Sequence, residues 1–204
     1  MLKRTSIIHI NSILKKNPNW KILDIGCGYR PHKLANVIAD VQDFSNIYSE
    51  KEFVQIKDKN LPFKNKEFDF VIASHVIEHI EDFEFFIREL ERISFKGYIE
   101  LPSRLGDNLI FENATDHIWW FTFDDISNQI IASKRNQLID PFMTVSMGKH
   151  FEKVFRESFV IELAWENKIE YKIDNEIRQI NLGKVSFFKL LKKYFSKKIR
   201  TFLK

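Results

Sequence analysis

Asp40, Asp58 and the pair Ser74-His75 each close a short apolar run, Asp24 sits inside an earlier run that stops in glycine, and that recurrence is the first feature of this sequence that could do chemistry. The runs are Leu23-Asp24-Ile25, Val37-Ile38-Ala39, Phe53-Val54-Gln55-Ile56-Lys57 and Phe68-Asp69-Phe70-Val71-Ile72-Ala73. Read as parallel strands, they would gather their polar ends at one crevice, because ligands in open α/β sheets bind outside the carboxyl ends of the strands. A carboxylate such as Asp40 can take ribose hydroxyls there. The first run stops in Gly26-Cys27-Gly28. Glycine tolerates positive φ and has no Cβ, so this turn is expected to let a nucleotide-like ligand touch the main chain and use its N–H groups as donors. Gly-x-Gly alone also fits a strand-end turn in an unrelated α/β protein. A dinucleotide fingerprint fits less well: its third glycine would fall at Pro31, and Asp40 follows well short of the roughly 20-residue spacing of a ribose acid.

Behind these residues stand the elements that must hold them. Phe83, Phe86, Ile87, Leu90 and Ile93 recur at helical spacing after Asp82, a good N-cap, which predicts a helix packed on the sheet. Thr122-Phe123-Asp124-Asp125 reads as the start of another helix, capped by Thr122 and burying Ile126, Ile130 and Ile131. Phe159–Trp165 and Ile169–Ile173 read as strands of an antiparallel hairpin turning at Glu166-Asn167-Lys168. The short interval from Gly28 to Val37, with Pro31 at a first helical position, leaves space for hardly more than one turn of helix A. Val41 to Lys51 lacks a helical period, so helix B is expected to be a loop.

With these segments in place, Lys21 to Ser103 resembles a class I S-adenosylmethionine-dependent methyltransferase of the methyltransferase domain 11 group. Ile22–Gly28 is similar to its first motif. Asp58–His79, through Leu61-Pro62-Phe63, is similar to its run from the adenine-contacting acid to the fourth strand, and Phe95–Ser103 to the fifth strand. The resemblance implies a Rossmann-like, doubly wound, mostly parallel α/β sheet with a C-terminal antiparallel hairpin and, here, shortened helices A and B. It implies S-adenosyl-L-methionine as cofactor, with Gly26 and Gly28 at the methionine end beside Asp24. Asp40 would take the ribose hydroxyls, Asp58 and the backbone at Lys59 would read adenine, and His75 would lie below the cofactor. Cys27 belongs to the same turn, its side chain reading as a small buried filler.

His79 and His117 are the candidate catalytic bases for an acceptor hydroxyl; for His79 a structural hydrogen bond competes with that role. Trp119 and Trp120 read either as core or as walls for a substrate ring. Related families, including quinone-pathway and small-RNA-end methyltransferases, bind a divalent metal with a Glu-x-x-Glu-His run. Here His75 replaces the first acid before Glu78-His79, and no metal is expected. The expected reaction is methyl transfer to an oxygen or nitrogen, with carbon a weaker choice, of a small molecule or saccharide that could be lipid-linked. The alternatives are a Rossmann-like binding module without cofactor affinity and a metal-assisted RNA-end methyltransferase.

The 204 residues, 44% apolar, suffice for one core. One cysteine excludes an intrachain disulfide framework. Ser6–Ser12 breaks the early apolar run with His and Asn, which argues against a secretory signal and for a cytoplasmic protein. The net charge of +4 hides an asymmetry: Leu182 to Lys204 holds only basic charges, leaving the remainder at about −4. The expected division is a methyltransferase-like domain over 1–180 and a basic amphipathic helix over 181–204. Phe188, Leu191, Phe195, Ile199 and Phe202 fall on one face, with Lys193, Lys197, Arg200 and Lys204 opposite. Such a helix suits an anionic inner membrane face or, equally, packing on its own domain. Nucleic acid is a weaker partner, since the rest of the chain is acidic.

Overall fold

Seven strands of this chain form one sheet because their side chains alternate between two apolar faces. In the computed structural model, which describes residues 1–174 and 185–202, the elements run β1 (Leu2–Arg4), α1 (Ile7–Lys16), β2 (Ile22–Ile25), β3 (Val37–Asp40), β4 (Glu52–Gln55) and β5 (Phe70–Ser74). After a 3₁₀ turn at Ile77–His79 come α2 (Phe83–Ile93), β6 (Lys96–Pro102), α3 (Arg104–Leu109), α4 (Asn113–Asp116), β7 (Trp119–Asp124) and β8 (Gln129–Lys134). The chain continues through α5 (Val145–Phe159), β9 (Val160–Glu166), β10 (Tyr171–Ile173) and α6 (Phe187–Phe202). The main sheet has the order β1-β9-β6-β5-β2-β3-β4. Its β4, β3, β2, β5 and β6 are parallel, and β9 runs against both β6 and β1.

The period of two is visible residue by residue. Leu23, Val71, Ala73, Ile99 and Leu101 face the cluster that holds α2, while Ile22, Phe70, Ile72 and Tyr98 face the cluster that holds Ile10 and Leu14 of α1. The predicted stripe of α2 is buried throughout, and Asp82 caps the helix by accepting the Phe85 N–H at 3.0 Å. Each such apolar side chain contributes about 2 kcal/mol on burial.

Three expectations need correction. Thr122 does not begin a helix: β7 and β8 are an antiparallel hairpin with Asn128 in the left-handed region at its turn. Ile126, taken for core, is 94% exposed at that turn. Aromatic and β-branched residues alternate on both sides of it, and tertiary pairing prevails over the helical spacing of the isoleucines. β9 does lie antiparallel at the end of the sheet, but its expected hairpin partner β10 leaves it and pairs in parallel with β8 in a second, three-stranded sheet. Only the bridge Glu166↔Lys168 remains of that hairpin.

Between β2 and β3 helix A is reduced to turns, with Arg30 N–H on the Cys27 carbonyl and Ala35 N–H on that of His32. The segment from Val41 to Lys51 is likewise without helix, as its composition suggests. The C-terminal helix forms over Phe187–Phe202; residues 175–184 and 203–204, which include Lys184, Lys204 and the expected boundary at 180/181, lie outside the described residues. Among the described residues no helix is long and apolar enough to cross a membrane.

Candidate functional site

A cavity of about 860 Å³ opens at the carboxyl ends of β2, β3, β4 and β5, lined by Gly26, Asp40, Asp58, Lys59, His75 and His79 together with Ile25, Val41, Ile56, Leu61, Phe85 and Phe86. Six of the ten residues singled out in the sequence therefore meet at one place. A cavity of this size is within the range of small-molecule and cofactor sites.

The glycine turn is built differently from expectation. Gly26 and Cys27 both donate their N–H groups to the Ala39 carbonyl, at 2.8 and 3.2 Å, and Gly28 N–H donates to Asp40 Oδ2 at 2.9 Å. The turn thus presents a close-approach surface and not free donors. Gly26 has φ +72°, and a Cβ there would stand 2.3 Å from Val76 Cγ2, so only glycine fits. Gly28 faces open space, and its carbonyl accepts the Tyr48 hydroxyl at 2.9 Å. Asp40 also accepts Gln42 N–H on Oδ1, which fixes the carboxylate at the cavity wall with lone pairs left for a ligand.

Asp24 and Cys27 stand behind the wall. Asp24 is buried and accepts the His32 N–H at 2.6 Å; burial pushes its carboxyl up to about 6 against that hydrogen bond and the charge of Lys51. Burial, with Asp40 and Asp24 nearby, pushes the Cys27 thiol up to about 12, which makes it the inert filler its position suggests. Lys59 pairs with Asp82 at 2.6 Å and lies over the Phe85 ring at 4.5 Å.

His75 has φ +56°, unusual for a residue with a side chain, and stands at the end of β5 between two acids. Its Nδ1 is 3.2 Å from Glu78 Oε1 and its Nε2 3.2 Å from Glu100 Oε1. Burial pulls its pKa down, but the hydrogen bonds and charges of Glu100 and Glu78 more than offset this and raise it to about 10. His75 is therefore an imidazolium at neutral pH. Glu100 extends the network: Tyr98 and Arg156 bond its Oε2, and Arg156 reaches Glu162 directly opposite on β9 at 3.0 and 3.1 Å. Despite burial, His75, Tyr98 and Arg156 hold Glu100 down to about 2.

A second cavity of about 270 Å³ adjoins the first and shares His75 and His79 with it; Glu112, Asp116, His117, Lys149 and Glu152 line its far side. His117 is held by a hydrogen bond between Nδ1 and Asp107, a fully buried carboxylate that also accepts from Trp120 Nε1 at 2.6 Å and Arg135 Nε at 2.8 Å. His79 Nδ1 donates to the Asp116 carbonyl at 3.0 Å. In both rings Nδ1 carries the proton and Nε2 is the remaining nitrogen. Trp119 and Trp120 are buried and belong to the core reading. Sequence reasoning missed Asp107, Glu100, Arg156 and Glu112, whose partners lie on distant elements.

The parallel sheet, the single antiparallel strand beside β6 and a cavity at the strand ends make a Rossmann-like, doubly wound α/β fold with a ligand crevice. Residues 23–97, just over a third of the chain, match the family model of a methyltransferase domain. Among solved structures the chain is similar to the PH0226 protein from Pyrococcus horikoshii OT3, at 16% identity over 79% of this chain and 89% of that one, with a TM-score of 0.45. It is also similar to an S-adenosylmethionine-dependent methyltransferase, possible histamine N-methyltransferase, from Thermotoga maritima, at 12% identity over 79% and 89%, with a TM-score of 0.46. The trans-methyltransferase CalH in complex with S-adenosylhomocysteine shares 20% identity over 47% of this chain and 35% of its own, with a TM-score of 0.37. The chain thus spans about a third of the length of CalH and under half that of the cyclase SpnF. No curated protein matches the sequence.

The cavity is large enough for an adenosyl cofactor such as S-adenosylmethionine. A Cβ-free wall at Gly26, a pre-set carboxylate at Asp40 and apolar side chains at Ile56, Leu61 and Phe86 offer such a molecule a close-approach surface, an acceptor for hydroxyl groups and apolar contact.

Proposed function

We propose that the protein transfers a methyl group from S-adenosylmethionine to an oxygen or nitrogen of a small-molecule or saccharide acceptor bound in the smaller cavity. What carries this reading is the shared wall: His75 and His79 line both cavities, so a methyl held in one would stand next to an acceptor held in the other. When bound, the cofactor supplies a methyl on a sulfonium, whose sulfur–carbon bond breaks with the electron pair left on sulfur as the bond to the acceptor forms. The protein's part is placement and exclusion of water. Asp40 holds the ribose end, and Asp58 with the Lys59 backbone reads the base. An acceptor hydroxyl or amine must also give up a proton, and Nε2 of His79 or His117 is the group to take it. Glu112, Asp116 and Glu152 give the acceptor cavity a negative wall suited to hydroxyl or amine donors.

The exposure of α6 supports a membrane setting for the acceptor. None of its described residues is buried, and Phe188, Phe195 and Phe202 are exposed alongside Lys192, Lys193, Lys197 and Lys198. That arrangement favours an anionic lipid surface over packing on the chain's own domain, and an acceptor met there could be lipid-linked. Calorimetry with S-adenosylmethionine tests the central claim. Saturable binding that weakens in Asp40→Ala supports it, followed by release of S-adenosylhomocysteine across an acceptor panel; no heat at millimolar cofactor favours the binding-module alternative.

A further inference from the structure

We propose that the small apolar cluster behind the second cavity is a membrane-contacting surface in its own right, which together with α6 holds that cavity against an anionic phospholipid bilayer. The buried part of the cluster is Leu109, Ile110, Met143, Phe159 and Val160, separate from the two clusters that flank the main sheet. Ile110, Phe159 and the adjoining Val145 also line the second cavity, so one side of the cluster is a cavity wall.

Its other side runs out to the surface along aromatic rings. Phe151 stacks on Phe159 with centroids 6.0 Å apart and on Phe155 at 6.3 Å, and Phe155 is exposed. On the opposite flank Phe142 stacks on Phe187 of α6 at 5.1 Å, and Phe187 meets the exposed Phe188. Phe111, also exposed, donates its N–H to the Met143 carbonyl at 2.9 Å, next in the chain to Phe142. Leu105 of α3 and Met147 and Val154 of α5 add further exposed apolar side chains on the helices that carry the cluster. Uncovered apolar surface of this extent marks a place where something binds.

Charge identifies what covers it. Lys189, Lys192, Lys193, Lys197, Lys198 and Arg200 of α6 are all exposed, and Phe187–Phe202 contains no acid. α5 adds exposed Lys149, His150 and Lys153 against the one exposed acid Glu157. A second copy of the chain, paired about a two-fold axis, would bring like charges together, whereas an anionic leaflet complements them and takes aromatic side chains into its headgroup layer. The stack of Phe142 on Phe187 makes the two surfaces continuous, so the bilayer would orient the domain as well as tether it. In its consequence for the acceptor the inference rests on the methyltransferase reading: a lipid-linked acceptor would keep its hydrocarbon in the leaflet beside Phe111 and Phe155 while its polar head entered the cavity.

The test uses the full chain with an environment-sensitive thiol fluorophore on Phe111→Cys or Phe155→Cys. Cys27 is buried and its thiol pushed up to about 12, so the introduced cysteine takes the label. Phe195→Cys reports on α6, and Ile126→Cys, at the β7–β8 turn and outside the cluster, is the control; circular dichroism checks the fold of each. On phosphatidylserine-containing vesicles that carry nitroxide lipid, the labels at 111 and 155 are expected to shift to the blue and lose intensity, with that at 126 unchanged. A shift at 195 with none at 111 and 155 means that α6 acts as a tether alone and overturns the inference, as does no shift anywhere. A shift shared by 126 marks indiscriminate adsorption, and a shift without vesicles that grows with protein concentration assigns the surface to a second copy; either overturns the inference. The methyltransferase reading is decided separately, by calorimetry of the unlabelled chain with S-adenosylmethionine: cofactor binding without these shifts ends this inference alone.

Discussion

Asp24 shows how a single buried carboxylate makes the glycine turn sensitive to pH. Its ordinary value is 3.8 and burial raises it to about 6, so the native state binds the proton more tightly than the unfolded chain between those values. The sign follows: ionised Asp24 destabilises the fold, a cost absent below about 4 and complete above about 6. Asp24→Asn keeps an oxygen for the His32 N–H and removes the charge. It is expected to raise stability by about 3 kcal/mol at pH 8, the gain fading as the pH falls through 6, in denaturant titrations across that range. A gain that is the same at every pH would show that Asp24 is not titrating there. At Gly26 two costs coincide, the φ of +72° and the contact with Val76 Cγ2. Gly26→Ala should lose about 2 kcal/mol, and Val76→Ala should restore the contact part but not the dihedral part in thermal melts. Asp40→Ala removes the carboxylate at the cavity wall, and S-adenosylmethionine should then bind about 10- to 100-fold more weakly by calorimetry, the worth of a charged hydrogen bond. These residues were legible in sequence because strand ends and glycines carry position in their type. Asp107 and Glu100 were not, since nothing near them in the chain marks an acid whose partner is 28 or 56 residues away.

At the level of elements, β3 to β5 could be read because each is a short apolar run ended by a polar residue, β2 because its run stops in glycine, β6 through its likeness to a fifth strand, and α2 because its stripe and cap agree. The stretch from Trp119 to Lys134 misled because Ile126, Ile130 and Ile131 imitate a helical face, while the pairing that decides the matter lies across the turn at Asn128. α5 carries a signal that could have been used: Phe151, Phe155 and Phe159 recur at steps of four. That helix matters because Arg156 projects from it between Glu100 of β6 and Glu162 of β9, two acids in direct register on adjacent strands. Arg156→Met leaves those like charges facing each other, and a loss of about 2–3 kcal/mol is expected after allowing for partial exposure of the guanidinium. Arg156→Met combined with Glu162→Gln should recover part of it. Equal stability of the single variant and the parent in urea would show that the pair is neutralised by another group.

The whole molecule separates its charges: an acidic globular part carries the cavities, and α6 carries lysines with an uncovered aromatic side. Under the proposed function the cavities would meet a polar acceptor and the helix an anionic interface. Each basic side chain near an anionic leaflet adds about 1 kcal/mol, and the aromatic side adds burial in the headgroup layer. If both contributions act, binding to phosphatidylserine-containing vesicles should fall with salt and fall again in a Phe188→Ser, Phe195→Ser, Phe202→Ser variant at constant salt, with uncharged phosphatidylcholine vesicles as reference. Screening acts on the charges within about 8 Å at physiological ionic strength and leaves the aromatic contribution intact, so the two losses should add. Co-sedimentation measures both. Equal pelleting of parent and variant on anionic vesicles would mean that the aromatic side is covered by the chain itself, and the acceptor would then be sought among soluble molecules.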